Sequence, residues 1–228
     1  MQTQKCSCLI PFYNEGDRLL YTLEKLSSIK ELKEIICIDD GSADNASKLA
    51  KEKFPNINVI VLPHNQGKSA AIFKGLLSVT TEYVLLFDAD LQEIKVEEIQ
   101  NAIQGIENHR SVDMIILRRV VERKLLSFLR HYVVMSGQRI LRTKDLIEVA
   151  KMKPEKYALE TAINKYMMKN NKIVYWMPIT TTNIHQMTKL GYKQMVRIIL
   201  NGFHGYFSSV GIIGYLRQIF TFCKKELV

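Results

Sequence analysis

Tyr83-Val84-Leu85-Leu86-Phe87-Asp88-Ala89-Asp90-Leu91-Gln92 is a run of five apolar residues followed by two carboxylates one residue apart. The apolar part, YVLLF, shows no polar alternation and predicts a strand buried on both faces. Strands of that kind belong to mostly parallel sheets covered by helices, and ligands of such sheets bind beyond the carboxyl ends of the strands. Asp88 and Asp90 fall there. Two carboxylates on one turn suit a hard divalent cation, Mg²⁺ or Mn²⁺, which takes oxygen ligands and commonly shares them with substrate phosphates.

Outward from this stretch, strand and helix alternate. Strands are predicted at Lys5–Ile10, ended by Pro11, then at Glu34–Ile38 (EIICI), Asn58–Leu62 and Met114–Leu117. Helices are predicted over Asp17–Ser28, from a Ser42 or Asp44 cap to Lys53, over Gly67–Val79, and through Val96, Ile99, Ile103 and Ile106. This order implies an α/β fold, Rossmann-like, with right-handed crossovers. It predicts that Asn14-Glu15, Asp39-Asp40 and Asp88/Asp90 share one rim. The second half is less regular. One or two helices are expected over Val121–Leu141, a helix over Pro154–Lys169, a strand over Lys172–Pro178, and helices over Met187–Leu200 and Tyr206–Phe222.

The chain has 228 residues, 47% of them hydrophobic and 24% charged, which excludes wholesale disorder. Its four cysteines form no CxxC pair, and Cys6, Cys8 and Cys37 sit in strand-like runs, as in a protein of the reducing cytosol. No signal peptide is visible, and the 203–222 stretch is too polar for a spanning helix. The formal charge of +9 is uneven. Residues 1–117 hold 12 Lys/Arg against 17 Asp/Glu, and residues 118–228 hold 20 against 6. A basic half implies a polyanionic partner: nucleic acid, an anionic membrane or a phosphorylated substrate. No nucleic-acid-binding motif is present.

Asn65-Gln66-Gly67-Lys68-Ser69 opens a predicted helix, where backbone amides and Lys68 favour an anion. Gly-Lys-Ser also ends the phosphate loop of nucleotide hydrolases, but that loop needs a glycine at the position of Leu62.

Together, LIPFYNE (9–15), IDDGSADN (38–45), HNQGKSAAIFKGL (64–76) and LLFDADLQ (85–92) resemble the family-2 glycosyltransferases of GT-A fold, in order, spacing and strand context. DMIILR (113–118) resembles the family segment that ends in Gly-Ser-Arg, with Leu117 in place of the Ser, and SGQRILR (136–142) resembles the family's acceptor-side Gly-x-Arg segment. Gln92, Arg118 and Arg139 match positions of the subgroup that glycosylates polyprenyl phosphates, the dolichol-phosphate mannose synthase-like enzymes.

The resemblance implies a metal-dependent inverting transferase using Mg²⁺ or Mn²⁺. Its donor would be a nucleotide-diphosphate sugar, UDP- or GDP-linked, and its acceptor a lipid phosphate. A hydroxyl of a phosphorylated small molecule or of another lipid is the alternative acceptor, and a P-loop-like hydrolase the more distant alternative.

It also implies roles for particular residues. Pro11, Tyr13 and Glu15 would line the base and ribose pocket, Asp40 would contact the base, and Lys68 would lie near the nucleotide. Asp88 and Asp90 would hold metal and diphosphate, with Gln92 and His185 as further metal-side positions. Arg118 and Arg139 would bind the acceptor phosphate, and Glu160 would be the catalytic carboxylate.

The expected organisation is a GT-A domain over 1–190, with a nucleotide-sugar part (1–117) and an acceptor part (118–190). An amphipathic, basic, helical extension (191–228) follows. Basic residues interleaved with aromatics over 192–222 suit peripheral contact with the cytoplasmic face of a membrane. Packing of this segment on its own domain or in a homodimer is the other reading.

Overall fold

Alternate residues of the central strands enter two separate cores. Cys8, Ile10, Cys37, Leu85 and Ile115 face one of them, while Leu9, Ile36, Ile38, Leu86 and Ile116 face the other. This is why YVLLF and EIICI lack polar alternation: both of their faces are covered.

The structure, a computed structural model, describes residues 4–119, 134–154, 159–183, 211, 213–214, 216–223 and 225–227. In chain order these form β1 (Cys6–Phe12), α1 (Asp17–Leu26), β2 (Leu32–Asp39), α2 (Ala46–Lys53), β3 (Asn58–Val61) and α3 (Lys68–Leu76). Then come β4 (Tyr83–Leu86), β5 (Leu91–Gln92), α4 (Val96–Asn108), β6 (Met114–Arg119) and β7 (Arg139–Arg142). The last elements are α5 (Thr143–Lys151), α6 (Leu159–Lys169), β8 (Val174–Ile179), β9 (Thr182–Asn183) and β10 (Lys225–Glu226).

The large sheet runs in the order β10-β8-β6-β7-β4-β1-β2-β3. All its pairings are parallel except those of β7 with β4 and β6. Helices α1, α2 and α4 cover one face through Leu19, Leu23, Ala50, Ile99 and Ile103, and α3, α5 and α6 cover the other through Ile72, Leu146, Val149 and Ile163. The expected mostly parallel α/β sheet is therefore what the chain forms. Pro11 lies inside β1 rather than ending it. β4 pairs with β1 only as far as Leu9, so the missing N–H of Pro11 costs no ladder bond on that side.

One expectation for the second half fails. Residues 139–141, expected in a helix, form β7, the antiparallel strand wedged between β4 and β6. The helical extension ends in β10, which pairs with β8 at Tyr175 and Trp176, and the Leu227 N–H donates to the Trp176 carbonyl. Helical residues 216–221 precede it. Among the described residues, no helix is long and apolar enough to cross a membrane.

At the end of the strands opposite the acidic rim, Arg142 pairs with Glu82 and Asp113, and Lys172 pairs with Asp113 and Asp145. This network ties β6, β7, α5 and the start of β8 together.

The four cysteines are buried, and none forms a disulfide. Burial pushes the thiols of Cys6, Cys8 and Cys37 well above the ordinary cysteine range, so little thiolate forms. A thiol reagent at pH 8 is expected to leave the native protein unmodified and to titrate about four thiols in denaturant. Fast modification of the native protein would contradict this packing.

Candidate active site

Three parallel strands end side by side, and each is followed by acidic residues. β1 leads to Asn14 and Glu15, β2 to Asp39 and Asp40, and β4 to Asp88 and Asp90. Like charges gathered at one rim repel, so each needs its own compensation.

Asp39 and Asp40 are both buried and serve as braces. Asp39 accepts from the Ser42 N–H at 2.7 Å and from the Ser47 hydroxyl. Asp40 accepts from the amides of Gln66 and Gly67, each at 2.8 Å, one on each oxygen. It thereby turns the loop that starts α3. Gly41 makes this approach possible. Its φ is +76°, and a Cβ there would sit 2.6 Å from the His64 carbonyl carbon. The amides at 66 and 67, which a phosphate loop would offer to a nucleotide, are thus committed to a carboxylate. The hydrolase alternative loses its phosphate cradle.

Asn14 has φ +54° and links the first two loops. Its N–H donates to the Ser42 hydroxyl, and its side-chain oxygen accepts from the Ala43 N–H. Glu15 pairs with Arg18 at 2.6 Å, and Pro11 is buried in β1. Tyr13 is about half exposed above them, 46% by area, and so is free to meet a ligand.

The third pair is arranged differently. The Thr22 hydroxyl on α1 donates to the carbonyl of Ala89, pinning the turn between the two aspartates. One oxygen of Asp88 meets the ammonium of Lys68 at 2.7 Å, and the other accepts from the Gln138 amide. The Lys68 ammonium also lies 3.2 Å from Glu160, on the first turn of α6. Burial alone would lower the Lys68 pKa, but Asp88 and Glu160 override it and hold the group above the ordinary lysine range. Asp90 is the least compensated member of the rim. Burial, and then the neighbouring Asp88 charge, raise its pKa against the pull of Arg18 and Lys68.

A carboxylate pair whose mutual repulsion is still felt is a donor set that a divalent cation relieves. The residues present therefore fit Mg²⁺ or Mn²⁺ held by Asp88 and Asp90. Gln92 is exposed on β5 and faces Thr182 of β9 in register, so it stands beside the turn. His185 lies outside the described residues, as does most of 192–222. Among the described residues, no group of three His, Cys, Asp or Glu gathers as a metal cluster.

The two arginines expected at the acceptor phosphate have unlike surroundings. Arg118 is partly exposed on the same rim, with its guanidinium 4.9 Å from the ring centre of Trp176. β6 lies two strands from β4, roughly 10 Å away at ordinary strand spacing. Arg139 is fully buried. Its guanidinium donates to the carbonyls of Ser136, Val134 and Glu160 and to the side-chain oxygen of Asn164. As placed it braces the Glu160 helix.

Gly137 and Gln138 were not singled out as site residues. A Cβ on Gly137 would lie 2.8 Å from the Lys68 ammonium and 2.9 Å from Asp88. SGQRILR carried a resemblance, but read as helix it gave no reason to place Gln138 against Asp88. Antiparallel pairing does so: Arg139 faces Leu86 in register, so the residues just before β7 meet those just after β4.

The sequence profile of glycosyl transferase family 2 matches residues 7–178, well over half of the chain, and spans this whole arrangement. The chain belongs to glycosyl transferase family 2.

Among the similar proteins is the undecaprenyl-phosphate 4-deoxy-4-formamido-L-arabinose transferase of Yersinia enterocolitica. It is 36% identical over 112 residues, which cover 46% of this chain and 34% of that protein. The dolichyl-phosphate beta-glucosyltransferase of Dictyostelium discoideum is 32% identical over 157 residues, covering 57% and 48%. The aligned regions thus span between a third and a half of these relatives.

The fold is that of glucosyl-3-phosphoglycerate synthase from Mycobacterium tuberculosis. Its complex with phosphoglyceric acid matches with a TM-score of 0.73 at 15% identity, over 92% of this chain and 81% of that one. Its complex with Mn²⁺, uridine-diphosphate and glucosyl-3-phosphoglycerate matches with a TM-score of 0.72 at the same identity and coverage.

Replacing Arg139 with Ala would leave several buried acceptors unpaired. The expected cost is on the order of 3 kcal/mol, read from urea unfolding. A loss below about 1 kcal/mol would contradict the bracing role and return Arg139 to the acceptor site.

Proposed function

We propose that this chain is a metal-dependent inverting glycosyltransferase that moves a sugar from a nucleotide-diphosphate sugar to a lipid phosphate of the polyprenyl type. The observation that carries this reading is the Asp88–Asp90 pair on a pinned turn at the sheet rim, with Lys68 between it and Glu160. The lipid-phosphate names of the family relatives support the acceptor, and uridine-diphosphate with Mn²⁺ in the neighbour of like fold supports the donor.

Asp88 and Asp90 would hold the cation and, with it, the donor diphosphate. When bound, the cation supplies Lewis-acid stabilisation of charge on the leaving diphosphate. Tyr13, with its exposed ring, would cover the base, while Pro11 and the Glu15–Arg18 pair shape the pocket wall. Asp40 would act on the nucleotide through the 66–67 loop that it holds. Lys68 would place a positive charge beside the diphosphate.

The acceptor attacks the anomeric carbon from the opposite face and inverts it. A phosphate acceptor is already ionised and needs positioning rather than a base. Arg118, partly exposed and stacked on Trp176, is placed to position it.

Exposed Ile213, Leu216 and Phe220 recur at helical spacing near the C-terminus, beside exposed Arg217, whereas Gln218 and Ile219 turn inward. An apolar stripe with a basic neighbour suits an anionic lipid surface, where a lipid-linked acceptor resides.

A hydroxyl acceptor is the second reading, favoured by the phosphoglyceric acid bound in the neighbour and by Glu160, whose carboxylate lies beside Lys68. Glu160 would then be the general base.

Asp90→Asn is expected to abolish sugar transfer with the thermal melt retained; full activity would remove the metal assignment. Glu160→Gln separates the acceptors. Transfer to polyprenyl phosphate should survive within about tenfold, whereas transfer to a hydroxyl should fall by a factor of 10² or more. Phe220→Asp should reduce flotation with vesicles containing anionic lipid; unchanged flotation would remove the C-terminal stripe from the membrane contact.

A further inference from the structure

Each carboxylate oxygen of Asp88 already meets one of the chain's own donors. Lys68 takes one at 2.7 Å, and Gln138 takes the other. Gly137 lets the three groups converge, since even a methyl group there would meet both the ammonium and the carboxylate. Glu160 holds the ammonium from the far side at 3.2 Å. Lys68 therefore sits as a resident monovalent cation on one of the two carboxylates that would hold the divalent one.

We infer that Lys68 competes with the divalent cation for Asp88 and makes metal binding conditional on the nucleotide. This rests on the proposed donor site and goes beyond it to the order of assembly. Without nucleotide, a metal ion entering the site must displace an ammonium from Asp88 and remain close to it, and the two like charges repel. The donor diphosphate brings negative charge to the same place. Lys68 can then exchange Asp88 for a phosphate oxygen, and Asp88 is released to the metal. Glu160 keeps the ammonium near the rim during the exchange, because its contact does not involve Asp88. Linkage makes the effect reciprocal: metal and nucleotide each strengthen the other, and Lys68 is one source of that coupling.

The test is Mn²⁺ binding to the full chain, followed by the electron paramagnetic resonance of free Mn²⁺, with and without UDP. It compares wild type, Lys68→Met and Lys68→Arg. Lys68 is on the first turn of α3 with its side chain 37% exposed, so the methionine stem keeps the packing, and a melt checks that the variant is folded.

Wild type should bind Mn²⁺ weakly alone and at least tenfold more tightly with UDP. Lys68→Met should bind Mn²⁺ alone at least tenfold more tightly than wild type, and UDP should add less to it. Lys68→Arg, which keeps the charge, should stay near wild type.

Equal Mn²⁺ affinity of wild type and Lys68→Met without UDP, with Mn²⁺–UDP binding intact, would overturn the competition and leave the donor site standing. Failure of wild type to bind Mn²⁺ at all in the presence of UDP would overturn the donor site itself, and the competition with it.

Discussion

Electrostatic repulsion among carboxylates on one sheet rim is the constraint from which the rest of the site follows. Parallel strands end together, so residues placed after β1, β2 and β4 are brought into one neighbourhood whatever their charge. The chain compensates them in three ways. Asp39 and Asp40 take backbone amides and a hydroxyl, Glu15 takes a guanidinium, and Asp88 takes an ammonium and a side-chain amide. Asp90 is left with the least, and its raised pKa records that. Burial and the neighbouring Asp88 charge outweigh the backbone hydrogen bond, Arg18 and Lys68 at Asp90, so an added cation relieves most repulsion at this pair.

How the rim is built explains which parts of it could be read from the sequence. Strand positions were legible because both faces of the sheet are covered, so EIICI and YVLLF stand out as unbroken apolar runs. Their odd and even residues then divide between the two cores. The rule that parallel sheets bind at their carboxyl ends places the three acidic clusters together from the sequence alone. Whether a given acid faces a ligand or a loop was not legible. Asp40 and Asp88 both follow apolar strands. Asp40 is turned inward by two amides contributed 26 and 27 residues later. Long-range backbone partners leave no local signature.

The second half was harder to read for a different reason. β7 is four residues long, is flanked by arginines, and follows a segment whose apolar spacing resembles a helix. Its identity as a strand depends on β4 and β6, which accept it from either side. Short strands whose stability comes from their neighbours carry weak local preferences. The consequences of misreading it spread to the site. If 139–141 were helical, Gln138 would have no reason to meet Asp88, and Arg139 would read as a free phosphate ligand. As a strand, Arg139 points its guanidinium into a cage of carbonyls and Asn164 instead.

That cage also ties the tail to the chemistry. Asn164 accepts from Arg139 and donates to Gln218, which is itself buried. Arg139 in turn holds the Glu160 carbonyl, and Glu160 holds Lys68. A continuous polar chain therefore runs from the C-terminal helical residues to Asp88. Each link is a buried or half-buried hydrogen bond or ion pair, so an unmatched partner is costly and the links keep their geometry together. The exposed face of that helical stretch carries Leu216 and Phe220, while its inward face carries Gln218. The same few residues thus present apolar surface outward and anchor the acceptor-side helix inward. If the acceptor is the lipid phosphate proposed above, this polar chain would tie the position of Asp88 and Glu160 to the outward apolar face.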